Sequence, residues 1–204
     1  MRGMTRPYEA LLSDDPAWPH MQAMVAAARN AVEVLPSTSD AAKACLAALQ
    51  VTTRSTLGAL AHETGGVLVD GGFVRVLGGG HARLPRALGG WNATLGVHAG
   101  EALLVGDDAV GGAFAINAGA LGEAVGNVHY FAQDTLRWED TGLGHSDWFA
   151  WLLSGDLGQF YASMRWPSWQ ADVAALSPDR AFHFHPHRAE PPCGRAIAAR
   201  RAAC

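Results

Sequence analysis

Apolar positions in the first fifty residues recur at intervals of three and four, the period of a helix with one buried face. Trp18, Met21, Met24 and Val25 fall on such a stripe, with Asp14 and Asp15 placed as caps before Pro16. Helices are therefore predicted over residues 7–12 and 16–29. Residues 32–35 are short and β-branched, an extended link or an edge strand. Ser39 or Asp40 can cap a third helix running through Leu49, with Ala42, Cys45, Leu46 and Leu49 toward the core. The pattern then changes. Two apolar runs, 67–69 and 73–76, are joined by Asp70-Gly71-Gly72, a hairpin signature. Further short strands are predicted at 102–107, 113–117, 127–131 and 136–140, with residues 78–90 as a surface loop. Eighteen of the 24 glycines lie between Gly58 and Gly126, so a turn-rich sheet is expected between helical flanks. Helix returns at 146–154, where Trp148, Phe149, Trp151, Leu152 and Leu153 are apolar nearly all round and Ser146 is the expected N-cap. A helical pair at 156–164 and 169–176 completes the pattern.

These elements give an α+β fold, and 204 residues suffice for one domain with a substantial core. The expected division is one domain over 1–184 and a tail over 185–204. The tail is basic, rich in Arg, Pro and Ala, without a core period, and is expected to be poorly ordered. No apolar run is long enough to span a membrane, and no charged-then-apolar leader opens the chain. Cys45, Cys193 and Cys204 are odd in number and form no CxxC pair, so a cytoplasmic location is expected, with Cys45 buried in its helix.

The net charge of −4 conceals a segregation. Residues 90–164 carry nine carboxylates and one cation, Arg137, whereas both flanks are slightly basic. A body without a basic patch is a poor ligand for nucleic acid. The acidic block is interleaved with Trp91, Tyr130, Phe131 and Trp138, as an interface for a basic protein would be. Trp91, Asp107, Asp108, Glu123, Asp134, Glu139 and Asp140 are the candidate contact residues.

Catalytic motifs are scarce. The glycine runs lack phosphate-loop spacing, and GHSDW lacks the second glycine of a nucleophile elbow. Asp107 and Asp108 are strand neighbours with side chains on opposite faces, one expected to turn the chain and the other to face solvent. His62-Glu63, read as a strand pair, is discounted for the same divergence. His183, His185 and His187 alternate, but no carboxylate or cysteine completes a site, and neither a metal nor any other cofactor is expected. The protein is accordingly read as a non-enzymatic binding module. The rival is an enzyme whose cleft gathers Arg54, Glu63, Asp107 and Asp108. Arg54 also has a plainer reading, as an ion pair at the core's edge with one of those carboxylates. A homodimer through surface tryptophans is a third reading.

Several long stretches carry a family resemblance: DDPAWP (14–19), NAVEVLP (30–36), LQVTTRSTLGALAHETGGVLVDGGFVRVLGGG (49–80), LLVGDDAVGGAFAINAGALG (103–122) and YFAQDTLRWED (130–140). On these, residues 8–184 resemble the bacterial domain-of-unknown-function family 2625. The tail departs from the family's aromatic ending. The order of GDDAVGGAFAI, an acidic turn and HSDWFAWLL is also similar to the SUKH (Smi1/Knr4-like) superfamily. That resemblance implies a curved antiparallel sheet packed by helices, and an immunity-type role in binding a toxin.

Overall fold

The computed structural model describes residues 5–95, 100–183 and 197–199. Seven strands form one open sheet in sequential order, every neighbour antiparallel: β1 (Val32–Pro36), β2 (Thr64–Val69), β3 (Val74–Leu77), β4 (Ala102–Asp108), β5 (Ala113–Asn117), β6 (Asn127–Ala132) and β7 (Arg137–Gly144). Short turns join β2 to β3, β4 to β5 and β6 to β7, as antiparallel neighbours permit, while helical segments within 39–63 and 88–94 lie between β1 and β2 and between β3 and β4. Seven helices accompany the sheet among the described residues: α1 (Trp18–Ala26), α2 (Ser39–Leu49), α3 (Thr56–Glu63), α4 (Leu88–Thr94), α5 (His145–Ser154), α6 (Leu157–Phe160) and α7 (Trp169–Ala175). A separate small pair, β8 (Ala181–His183) and β9 (Ile197–Ala199), lies outside the main sheet. The architecture is α+β, as expected.

The sequence pattern placed most strands within a residue or two. The short run at 32–35 is an edge strand, and Cys45 is buried, its thiol against the Gly78 carbonyl. Other expectations need correcting. Residues 56–63, where no helix is predicted and His62-Glu63 is read as a strand pair, form α3, capped by the Ser55 hydroxyl on the Gly58 N–H. The supposed loop at 78–90 ends in α4. Thr38, not Ser39 or Asp40, caps α2. Gly144 precedes α5, and Ser146 instead bonds Thr56 across to α3 at 2.7 Å. Most of the predicted tail lies outside the described residues, as do His185 and His187.

Strands β2 and β3 are buried along their whole length, so the sheet's centre is covered on both faces, while β7 is largely exposed. Trp148 of α5 is wholly buried, its ring against Phe114 of β5 and above Gly106 of β4. Arg165 is clamped between the rings of Trp169, Phe73 and Tyr161, at 4.0, 4.7 and 5.5 Å from their centroids, and is ion-paired to Asp70. This cation–π box fastens the C-terminal helices to the β2–β3 turn.

The end of β4 holds the buried polar centre of the fold. Asp107 faces two guanidiniums: Arg75, directly opposite on β3, at 3.3 Å, and Arg86 at 2.9 Å. Arg75 also donates to the carbonyls of Gly72 and Asp108, and Arg86 to that of Pro178. Asp108 is fully buried and accepts from the hydroxyls of Tyr130 (2.7 Å) and Tyr161 (3.2 Å) and from the N–H groups of Val110 and Gly112. Burial pushes its carboxyl up from the ordinary range, while the Tyr130 hydroxyl and the two amides pull it back. A side chain at Gly112 would strike both the Asp108 carboxylate and the Tyr130 hydroxyl, each 2.3 Å from its first carbon.

Because two buried guanidiniums share Asp107, Asp107→Ala should cost about 3–5 kcal/mol in urea unfolding. Arg83→Ala, at the exposed Arg83–Glu33 pair, should cost about 1 kcal/mol or less. Equal losses would show that the cluster does not carry the fold. His145 gives a second expectation. Both its ring nitrogens are buried without a hydrogen-bond partner, and desolvation lowers its pKa to about 4. The unfolded chain takes up this proton near pH 6.5, the native chain only near 4, so stability falls as pH drops through that window. The loss should reach roughly 3 kcal/mol. Urea titrations at pH 7 and pH 4 should show His145→Leu losing that much less than the natural chain; parallel losses would refute the assignment.

Candidate functional site

Structure divides the sequence-predicted contact residues into three groups. Asp107 and Asp108 belong to the buried centre at the end of β4, 5% and 0% exposed, and are not on a surface that a partner could reach. Their side chains diverge as strand neighbours should. Asp108 turns the chain by accepting the Val110 and Gly112 amides, but Asp107 faces Arg75 and Arg86 where solvent was expected. Trp91 sits on α4, half-buried, with the Arg86 guanidinium 5.9 Å from its ring centroid. The next residue, Asn92, ties α4 to β4 through the Leu104 amide and carbonyl.

The third group lies along strands β6 and β7 and their connections. Asp134, Glu139 and Asp140 are exposed on the β6–β7 hairpin, and Glu123 is exposed in the β5–β6 connection. Among the described residues, strand β7 is the last of the sheet and is bonded to β6 alone. In its register Glu139 lies opposite Tyr130 and Asp140 opposite His129. Facing residues of an antiparallel pair share a face, so these two carboxylates flank the edge strand on opposite sides. Asp140 accepts from the Asn127 side chain and the Gly142 N–H, and that backbone bond, more than any other contact, lowers its pKa. Glu139 accepts from the Thr135 hydroxyl.

Hydrophobic groups accompany the carboxylates. Leu136, in the hairpin turn, and Val125, beside Glu123, are each 66% exposed. Leu136 has φ +54°, a left-handed conformation that costs a leucine about 1–2 kcal/mol. The Phe131 and Trp138 rings pair across the strands at 5.4 Å, both half-buried. Tyr130, expected among these surface aromatics, is instead 3% exposed and points into the core. The site is thus a strip along β6 and β7, about 20 Å long at the strand rise, with carboxylates on both sides of a free edge.

The alternative cleft does not form. Arg54 is exposed at the turn before α3, and among the described residues no ion pair reaches it. Glu63 is at the other end of that helix. The space beside Asp107 and Asp108 is filled and lined by Arg75, Arg86, Asp179, Arg180 and Ala181, so neither Arg54 nor Glu63 borders it. The partners of the aspartates were missed. Arg75 stands in the run Val74-Arg75-Val76, and the signal that could have found it is the β3–β4 register, which sets it opposite Asp107. Glu63 has a different partner, also missed: its carboxylate lies 2.7 Å from Nδ1 of His62, whose Nε2 lies 2.8 Å from the Tyr8 hydroxyl. Both residues lie at the C-terminal end of α3 rather than on a strand, and their side chains do converge.

No solved structure matches the chain. Two relatives do. A putative uncharacterized protein, YbfG, of Escherichia coli is 45% identical over 174 residues, covering 85% of this chain and 81% of the relative. An uncharacterized protein of Haemophilus influenzae is 37% identical over 174 residues, covering 83% of this chain and 76% of the relative. The family model described as protein of unknown function DUF2625 matches residues 8–201, so the chain belongs to the DUF2625 family.

Proposed function

We propose that the protein is a non-enzymatic binding module whose β6–β7 hairpin docks a basic protein partner. The observation that carries this reading is Leu136. A large apolar side chain is held 66% exposed, at a positive φ, between Asp134 and Glu139. The folded chain gains little from that arrangement: glycine or asparagine would take the turn with less strain, and a polar residue would suit the exposure. A partner that buries Leu136 and pairs with the surrounding carboxylates gives the conformation a use. Association would be steered by the charge and anchored by Leu136 with the Phe131–Trp138 pair. The immunity-type role implied by the SUKH-like resemblance is the specific form of this proposal, with a basic toxin as partner.

Immobilised full-length chain, exposed to native lysate at low and then high salt, tests the reading against the variant Glu139→Lys/Asp140→Lys. A basic protein should be held by the natural chain at low salt and released at high salt, and the variant should fail to hold it. With the captured protein purified, the variant should associate more slowly, with a flatter salt dependence. Leu136→Asp should speed dissociation. Capture that is indifferent to both changes would remove the hairpin as the interface, and the absence of any basic protein at low salt would count against the proposal.

A further inference from the structure

A second feature stands apart from the hairpin. His62 and Glu63 close α3, and Tyr8 lies in a short 3-10 turn, Tyr8–Leu11, that packs beside α2. The Glu63 carboxylate, 2.7 Å from His62 Nδ1, selects the tautomer with its proton on that nitrogen. Nε2 is then a lone-pair acceptor, 2.8 Å from the Tyr8 hydroxyl, and the two rings stack with centroids 6.0 Å apart. The arrangement is open to solvent, with the His62 and Glu63 side chains 21% and 34% exposed. Lys43, the one lysine of the sequence, is exposed and sets its ammonium 5.4 Å from the Tyr8 ring centroid.

The other two tyrosines serve as a contrast. Tyr130 and Tyr161 donate to the buried Asp108, and burial next to that carboxylate pushes both phenols well up. Their protons are held. Tyr8 alone of the three donates to an imidazole backed by a carboxylate, the pairing that converts a weak nucleophile into an active one. Pinning the N-terminal turn to α3 would need only an acceptor for the hydroxyl. The Glu63 carboxylate behind the imidazole and the cation beside the ring are not required for that.

We propose that Tyr8 is a base-activated nucleophile that accepts an acyl group from an activated ester bearing an anionic substituent. His62 is the base, Glu63 is the positioning residue, and Lys43 supplies the charge that receives the anion. The phenol oxygen bonds to the ester carbonyl carbon as its proton passes to His62 Nε2. The bond from that carbon to the leaving alcohol's oxygen then breaks, and the imidazolium returns the proton to the departing alcohol. The acyl group remains on Tyr8 as an aryl ester, one per chain.

The test uses the full chain with the mono-p-nitrophenyl ester of terephthalic acid, whose rigid carboxylate cannot reach its own ester, following release of p-nitrophenol and locating the adduct by peptide mass spectrometry. One equivalent should be released above the rate without protein, with the 4-carboxybenzoyl group on Tyr8. His62→Gln, which keeps a hydrogen-bonding side chain but no base, should slow acylation on the order of 10²-fold. Glu63→Gln should slow it roughly tenfold without lowering the melting temperature by more than a few degrees, a separation that a structural role would not give. Lys43→Ala should slow the terephthalate ester but leave neutral p-nitrophenyl acetate unaffected. Tyr8→Phe should take up no acyl group, and because Glu63→Gln is nearly isosteric, the test stands even if Tyr8→Phe loosens the fold. An adduct on Lys43 or His62 in place of Tyr8, no adduct at all, or an unchanged Tyr8 rate in His62→Gln would each overturn the proposal.

Discussion

Two adjacent carboxylates at the end of β4 are the constraint on which the rest of the structure depends. Asp107 binds β3 through Arg75 and the segment before α4 through Arg86, which also reaches the Pro178 carbonyl near the C-terminal helices. Asp108 binds β6 through Tyr130, the turn after α6 through Tyr161, and its own β4–β5 turn through two backbone amides. Neither carboxylate could be buried alone, because a desolvated charge without partners costs several kcal/mol. The pleat resolves this by sending neighbouring side chains to opposite faces, so that each carboxylate meets its own set of donors. With Asp108 fixed, the β4–β5 turn is fixed, Tyr130 has one position, and the register of β6 follows. The exposed β6–β7 hairpin therefore stands on a buried foundation.

How much of this could be read along the chain depends on the range of the signal. Strands announced by alternation and bounded by glycine turns were legible to within a residue or two, as β4, β5 and β6 show. Helix α3 was not, because its Leu57, Ala59, Leu60 and Ala61 run directly into the apolar β2, and all but Leu57 are fully buried. Its local signal, Ser55 as N-cap, was present but faint. Helix α4 was hidden by Gly89 and Gly90, poor helix residues. Gly89 is there because a first side-chain carbon would lie 2.9 Å from Ala48 of α2. The acidic excess was legible as composition but not as placement. Its division into buried and exposed carboxylates depends on Arg75, Arg86, Tyr130 and Tyr161, residues 21 to 53 positions from their partners. Pairings of that length leave no local trace. The same limit hid the Tyr8–His62 contact, 54 residues apart.

The exposed carboxylates have a plainer use that must be weighed against docking. An edge strand presents unpaired backbone groups, and charges on it discourage pairing with another copy. Glu139 and Asp140 on opposite sides of β7 would do this well, since a second copy would bring like charges together. That argument accounts for the charge but not for what accompanies it. Protection against pairing is served by polar residues throughout, and an exposed leucine in a strained turn works against it. The proposed docking reconciles the two observations: an edge closed to copies of itself would be open to a basic partner, because the same carboxylates would repel the first and attract the second.

Charge segregation along the chain then acquires a structural meaning. Three of the cations of the first half are spent on carboxylates within the chain: Arg75 and Arg86 on Asp107, and Arg83 on Glu33 across the surface. One of the nine carboxylates in residues 90–164, Asp107, answers Arg75 and Arg86, and the four on the hairpin and its neighbouring loop have one nearby cation in sequence, Arg137. The surplus is therefore local, concentrated where the sheet is least covered and where the strand edge is free. A surplus spread evenly over the surface would serve solubility as well, at no risk to the native state. Concentration on one exposed edge, next to Leu136 and Val125, raises local repulsion without helping the fold, and such a cost is recovered when an oppositely charged surface covers it.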